Sequence, residues 1–488
     1  MEPEEVYFPL DEQIVRHVMD SVSKVDGGTM YADVYLKQLY EPHTNDSTGL
    51  QDTLYWVSKY GMDERAEVLL SWLDNVEEHG LKRETFLVDE IAEDLASFRK
   101  LKPDSCTQAE VCDLMGRLEY RLSRAYLRYV YGQRFGYVRP SAVFNKMLGT
   151  TRSKAYLNVF DIPAEEASDS LFYVALTMLE NRDDLVDFLN DVQPTDSLYH
   201  RFCREYNRLR EAGDQKMAEL ARVNLERTRW RYERPADTGK YVMVNIPSFH
   251  LEAVDNNASR RLQMRICCGS KEHRSPLLLS RINRLELNPY WTVPVSIIKN
   301  EIVPRHTGDG GYFGRNRMFA IERATGNRLS ASSITAAQWL SGKYTLRQER
   351  GAGNSLGRMI FRFPNNHSVY LHDTNSRGAF DRANRAVSHG CIRVQHPLDL
   401  AVFLMDNPDS LLIDKIRVAV DREPLTEKGR AYREKTDSER YMNSYAFKPR
   451  VPVYIDYFTL YPDSAGVFRS YDDVYGYDGP LKDALADF

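Results

Sequence analysis

The hydrophobic pattern changes period at Lys240, and this restricts the possible fold more than any other feature, because a helical pattern and a strand pattern need separate interiors. Before that point apolar residues recur at helical spacing, as in Ile14, Val15, Val18 and Met19, then Leu54 and Val57, then Ala66, Leu69, Leu70 and Leu73. Asp52 and Asp63 are candidate helix caps there. After it, residues 241–246, 250–254, 264–268 and 281–287 are short β-branched stretches broken by Pro, Asn and Gly, which read as strands.

A chain of 488 residues exceeds one ordinary core. The expected fold class is multidomain α+β. A helical domain spans 1–138, a second helical region with a linker spans 139–237, and a mainly β domain spans 238–488. Inside the last, 304–353 is less regular. Gly308, Gly310, Gly311 and Gly314 there suggest a mobile loop, and 334–340 a short helix. Residues 451–460 alternate like a strand, and Pro397 is placed to open a helix.

Basic and acidic residues number 65 and 70, a formal charge of -5, so there is no broad basic footprint and nucleic acid is excluded as the main partner. Six cysteines are too few for a disulfide scaffold. A Cys106–Cys112 pairing stays open, and the adjacent Cys267 and Cys268 are expected on opposite faces of one strand. No apolar run is long enough to cross a membrane as a helix, and the acidic start lacks a secretory pattern, which on its own points to the cytoplasm.

The chemistry concentrates in residues 371–399. His372 ends an apparent strand, and His389 sits two residues before Cys391. An ordinary thiol is only a few per cent thiolate at neutral pH, so Cys391 needs a nearby base or cation, and His372 and His389 are the candidates. Gly390 permits a positive φ beside the sulfur. The N–H groups of Gly390 and Cys391, with that of His389, are candidate donors to an oxyanion. Residue types alone leave two other readings open: a metal site made of His372, His389, Cys391 and His396, or an inert buried thiol.

His372 together with Ser388-His389-Gly390-Cys391-Ile392-Arg393 resembles the active-site signature of the YkuD-type L,D-transpeptidases, which cross-link peptidoglycan. Further stretches carry the same resemblance. Residues 241–246 are similar to the first strand of that fold, and Asn288-Pro289-Tyr290-Trp291-Thr292-Val293-Pro294 to a wall of its cleft. Gly353-Asn354-Ser355-Leu356-Gly357 resembles its NPLG turn, with serine replacing proline. Residues 75–91 and 118–138 resemble the helical scaffold of the large members, 304–353 their capping insertion, and 451–478 their C-terminal hairpin. The small wall-binding domain that large members often carry has no counterpart pattern in 139–237.

The resemblance implies a peptidoglycan L,D-transpeptidase that forms 3-3 cross-links through a cysteine thioester and releases D-Ala from a tetrapeptide stem. Cys391 is then the nucleophile and His372 the base, with the other ring nitrogen of His372 held by a backbone carbonyl at Asp373 or a near neighbour. Ser388, His389 and Gly390 support the site. Arg393 binds a substrate carboxylate, and Asn354, Tyr290 and Trp291 line the cleft. The partners implied are stem peptides, as tetrapeptide donor and diamino-acid amine acceptor, and carbapenems as covalent inhibitors. No metal and no cofactor are expected. The implied location is the periplasm or cell envelope, with a signal or anchor segment absent from this chain. Two alternatives remain: an L,D-carboxypeptidase or hydrolase of the same fold, and a non-catalytic wall-binding scaffold, which has no need of the Cys391 and His372 pair.

Overall fold

One long helix, Gln108–Phe135, organises the helical half. It starts at a capping box in which Thr107 and Glu110 satisfy each other's backbone N–H, and it stops at Gly136, whose φ is +89°. Val111, Met115, Leu118, Leu122, Ala125 and Tyr129 recur every three or four residues and are buried. Gly116 lets the helix Glu12–Asp26 lie close, since a Cβ there would come within 2.7 Å of Val18. Below that contact, Arg128 grips Asp33 with two bonds of 2.6 Å.

This arrangement is seen in a computed structural model that describes residues 7–40, 53–145, 158–306, 309 and 311–488. Asp52, one expected cap, and Gly308 and Gly310 of the expected loop lie outside the described residues. Asp63 does accept from the Arg65 N–H at the start of its helix.

Among the described residues of 139–237, the regular structure is helical apart from β1 (Phe160–Asp161), which pairs in parallel with the start of β5 (Leu277–Leu287). Two residues are too short to show a period in the sequence. Phe160 holds them in place, with its ring between those of Phe144 and Trp230 at 6.1 and 5.6 Å.

The remaining strands of the main sheet are β2 (Lys240–Asn245), β3 (His250–Asp255) and β4 (Arg260–Gly269). After the cap strands, numbered β6 to β9 below, come β10 (Met359–Arg362), β11 (Leu371–His372), β12 (Ala386–Ser388), β13 (Ile392–Val394) and β14 (Ser444–Asp456). Their order is β1-β5-β10-β11-β13-β4-β3-β2-β14, with β12 beside β4. β14 pairs with β5 as well as β2, so the path closes on itself around an apolar interior that includes Val244, Leu251, Ile266, Phe361, Leu371 and Ile455. Cys268 faces this interior, whereas Cys267 packs with Ala379 and Phe380 on the opposite face. All six cysteines are free thiols, so Cys106 and Cys112 are not paired.

Two expected boundaries differ from the observed ones. The capping excursion begins well before 304, at β6 (Trp291–Thr292). It continues through β7 (Met318–Glu322), β8 (Arg328–Ser330) and β9 (Tyr344–Gln348), ordered β6-β9-β7-β8 over a separate core of Val293, Ile298, Ile302, Ala320, Trp339 and Leu346. Pro289 and Pro294 announce extended backbone, which is why this stretch reads as cleft wall, but its hydrogen bonds go to β9. Gly314 lies in a helical turn, Tyr312–Arg315, with Gly311 as its cap, and not in a loop.

At the C-terminal end, 451–478 is not one hairpin. β14 belongs to the main sheet, and the hairpin is only β15 (Leu460–Pro462) with β16 (Phe468–Ser470), packed through Phe458 and Phe468 against Phe202 of the helix Ser197–Glu211. Alternation identifies a strand but not its partner.

The helix Gln215–Arg229 joins the two halves. Asn224 exchanges two hydrogen bonds with Thr459, and Arg227 reaches Asp478 at 2.7 Å. Its Glu226, fully buried, accepts from the Val138 N–H at 2.8 Å and from Arg229 at 3.1 Å. Glu226→Ala leaves the Arg229 guanidinium buried beside no carboxylate, so we expect a loss of about 3–5 kcal/mol in equilibrium unfolding. A loss below about 1 kcal/mol would show that this joint does not carry stability.

Candidate active site

The site is built by the parallel pairing of β11 with β13, in which Leu371 lies opposite Ile392 and His372 opposite Arg393. Leu371 and Ile392 point into the sheet's interior, so the alternating residues share the other face. That face carries His372 and Arg393, and, one step before the register, Tyr370 beside Cys391, since the Ile392 N–H donates to the Tyr370 carbonyl at 3.1 Å. Sequence neighbours far apart in number thus become spatial neighbours through strand register alone.

Cys391 is partly buried, and its thiol donates weakly toward the Ser368 carbonyl at 3.9 Å. Burial raises its pKa above the ordinary thiol value; Tyr370, Arg362 and Arg393 pull it back down. His372 is 4 % exposed, and burial, followed by the charge of Arg393, lowers its pKa to about 3. The resting pair is therefore a neutral thiol beside a neutral imidazole that is free to accept a proton. Backbone groups of Asp373 and Leu356 favour the imidazolium. These backbone contacts lie where a carbonyl just after the histidine was expected, although Nδ1 is buried and makes no close hydrogen bond among the described residues.

The loop carrying Cys391 is tied down from several sides. The Ser388 hydroxyl donates to the Cys391 carbonyl at 2.5 Å and accepts from the Gly390 N–H at 3.2 Å. Gly390 has φ +108°, as expected for a glycine beside the sulfur, but its N–H faces Ser388 and is not available to an oxyanion. Among the described residues, the N–H groups of His389 and Cys391 make no such bond and remain as the donors. The Gly390 carbonyl accepts from Ser275 at 2.7 Å; the same hydroxyl accepts from the Gly269 N–H, and the Tyr475 hydroxyl donates to the Gly269 carbonyl. Nothing in the spacing of Ser275 or Tyr475 ties them to Cys391, and both were missed in the sequence.

Other expected site residues stand elsewhere. His389 presents Nε2 to Glu301 of the cap at 2.6 Å and sets its ring 4.9 Å from that of His273, tilted by 45°, so it joins cap to loop. Glu301 lies in the π-helical turn Ile298–Ile302.

Asn354 does not line the cleft. It is fully buried, its amide donates to the Pro289 and Glu349 carbonyls, and its oxygen accepts from the Leu356 N–H, leaving nothing for a substrate. Trp291 packs against the cap's core, and Tyr290 lies edge-on to Phe319 with Arg350 over its ring at 4.4 Å, so both belong to the base of the cap. The Asp373 carboxylate accepts from the Arg358 N–H and from Arg377, and it occupies the space where a Cβ at Gly357 would sit. It fixes the turn before the histidine.

Arg393 does face the site. Its Nε is buried without a hydrogen-bond partner among the described residues, and burial lowers its pKa. A metal reading needs converging donors, and no group of three His, Cys, Asp or Glu is so arranged among the described residues. His396 instead faces Asp399 at 3.9 Å. No described helix is long and apolar enough to cross a membrane.

Comparison with known proteins gives matches on both halves. Residues 239–420 match the YkuD family, described as the L,D-transpeptidase catalytic domain, and residues 38–205 match the family described as Scaffold domain. The chain is 26% identical over 311 residues to a protein of Haemophilus influenzae named "Putative L,D-transpeptidase". That match takes in 63% of this chain and 58% of the relative, so it spans little more than half of that protein's length.

A neutral pair makes a specific prediction for pH. With the thiol pKa raised and the imidazole neutral down to about 3, alkylation of Cys391 by iodoacetamide, followed by peptide mass spectrometry, stays slow and without inflection between roughly pH 5 and 8 and rises only in alkali. Full reactivity already present at neutral pH, with an acid inflection below it, would mean a thiolate–imidazolium pair instead.

Proposed function

Because this chain carries a YkuD L,D-transpeptidase catalytic domain joined to a Scaffold domain, we propose that it forms 3-3 cross-links in peptidoglycan through a cysteine thioester. The observation that carries this reading is the common face of β11 and β13, which sets a neutral base, His372, in the strand beside the one that Cys391 leads into.

His372 takes the Cys391 proton as the sulfur attacks the carbonyl between the third stem residue, a diamino acid, and its terminal D-Ala. The resulting oxyanion is held by the N–H groups of Cys391 and His389. The tetrahedral adduct collapses, the C–N bond breaks, and the leaving amine of D-Ala takes the proton from the imidazolium. A side-chain amine of a neighbouring stem then gives a proton to His372 as it attacks the thioester, the C–S bond breaks, and the imidazolium returns the proton to the Cys391 sulfur. Arg393, a guanidinium without a carboxylate partner among the described residues, anchors a stem carboxylate beside the reacting bond.

The cap suits this second step, in which an amine must outcompete water. It stands on its own core and touches the catalytic loop through Glu301 and His389, so a stem seated beneath it meets an enclosed thioester. With peptidoglycan as its substrate, the proposed reaction belongs in the periplasm or cell envelope.

A carbapenem offers the same acyl chemistry in a strained ring, and the reading predicts one adduct per chain, as a thioester on Cys391, by intact-protein mass spectrometry. Absence of an adduct, or one that persists in Cys391→Ala, would contradict it.

A further inference from the structure

Tyr370 plays no part in the chemistry above, yet it stands on the face that carries Cys391 and His372. It stands two residues before His372 on the same extended segment and beside Cys391 across the strand pairing, so all three share one face. Tyr370 lies close enough to lower the pKa of the Cys391 thiol through both its backbone and its phenol, while the sulfur's own hydrogen bond runs to the Ser368 carbonyl. Its ring meets that of His372 edge-on, with centroids 5.6 Å apart at 68°.

The ring is also held from behind. The Arg362 guanidinium lies over it at 4.4 Å, and Arg362 is itself fixed by Glu286 through bonds of 3.1 and 3.0 Å. β10 pairs with both β11 and β5; Arg362 stands opposite Arg284, and Glu286 lies two residues along β5 on the same face, opposite Ile360. Glu286 also pairs with Arg284, so the arrangement does not depend on a single ion pair. A packing aromatic has no need of such a brace.

We infer that Tyr370 is a third catalytic residue, whose hydroxyl donates a hydrogen bond to the Cys391 sulfur and holds the thiolate while its proton resides on His372. The inference rests on Cys391 being the nucleophile of the proposed reaction. No proton is lost from tyrosine: the thiol proton moves to the imidazole, the S–H bond breaks, and the phenolic O–H keeps its own hydrogen throughout. Burial and the neighbouring sulfur raise the phenol's pKa, which keeps it a donor at every working pH, and the Arg362 cation over the ring polarises the O–H toward sulfur.

The test compares Tyr370→Phe, which keeps the ring and both of its ring contacts, with the parent protein in the alkylation profile of Cys391. Removing a donor to an anion is expected to move the alkaline limb up by about one pH unit, a roughly tenfold fall in rate at a given pH on that limb. Arg362→Gln, which leaves Glu286 still paired with Arg284, is expected to shift the limb in the same direction, with the circular dichroism of both variants unchanged. An unchanged limb in both variants overturns the inference. Thiol alkylation needs no stem peptide, so a shifted limb upholds the role of Tyr370 even where the parent makes no cross-link, and that second result counts against the proposed reaction alone.

Discussion

The site depends on one backbone pairing. β11 is two residues long, and its parallel register with β13 is what turns His372 and Arg393 to one side while Leu371 and Ile392 are buried on the other. A slip of one residue would send the base into the apolar interior, so the hydrophobic pattern that stabilises the sheet also fixes the geometry of the chemistry. The neutrality of the pair has the same origin. Burial against the sheet, with the charge of Arg393 beside it, keeps His372 neutral at rest.

The rest of the molecule constrains that pairing from its edges. On one side, Asp373 secures the turn at Gly357 and draws in Arg377. On the other, Ser388, Ser275 and Tyr475 form a buried chain of hydrogen bonds beneath Gly390, so the Cys391 loop is set by residues from three separate parts of the sequence. The cap adds the Glu301–His389 contact from above. Farther out, the helix Gln215–Arg229 ties the helical half to the sheet through Asn224, Glu226 and Arg227, which makes the long helix Gln108–Phe135 a support for the catalytic domain.

Much of this was legible in the sequence because it is periodic or local. The change of period at Lys240 coincides with the start of β2, and Pro397 opens the helix Pro397–Leu404. Gly390 takes the positive φ that a residue beside the sulfur was expected to need. What was not legible depends on partners. Alternation in 451–460 cannot say that the strand closes the sheet between β2 and β5, and two residues at 160–161 show no period at all. Asn354 reads as a cleft residue by its place in a familiar turn, but its amide is consumed by backbone. Tyr370 was visible as a strand residue, and only the register with β13 reveals what it faces.

The central claim is that Cys391 passes an acyl group to an amine. Incubating the protein with disaccharide-tetrapeptides and resolving both enzyme and products by mass spectrometry tests it most directly. The account predicts an acyl-enzyme on Cys391 that has lost D-Ala, followed by dimers joined through their diamino acids, with both absent in Cys391→Ala. Tripeptides without dimers, or no acyl-enzyme on Cys391, would contradict it.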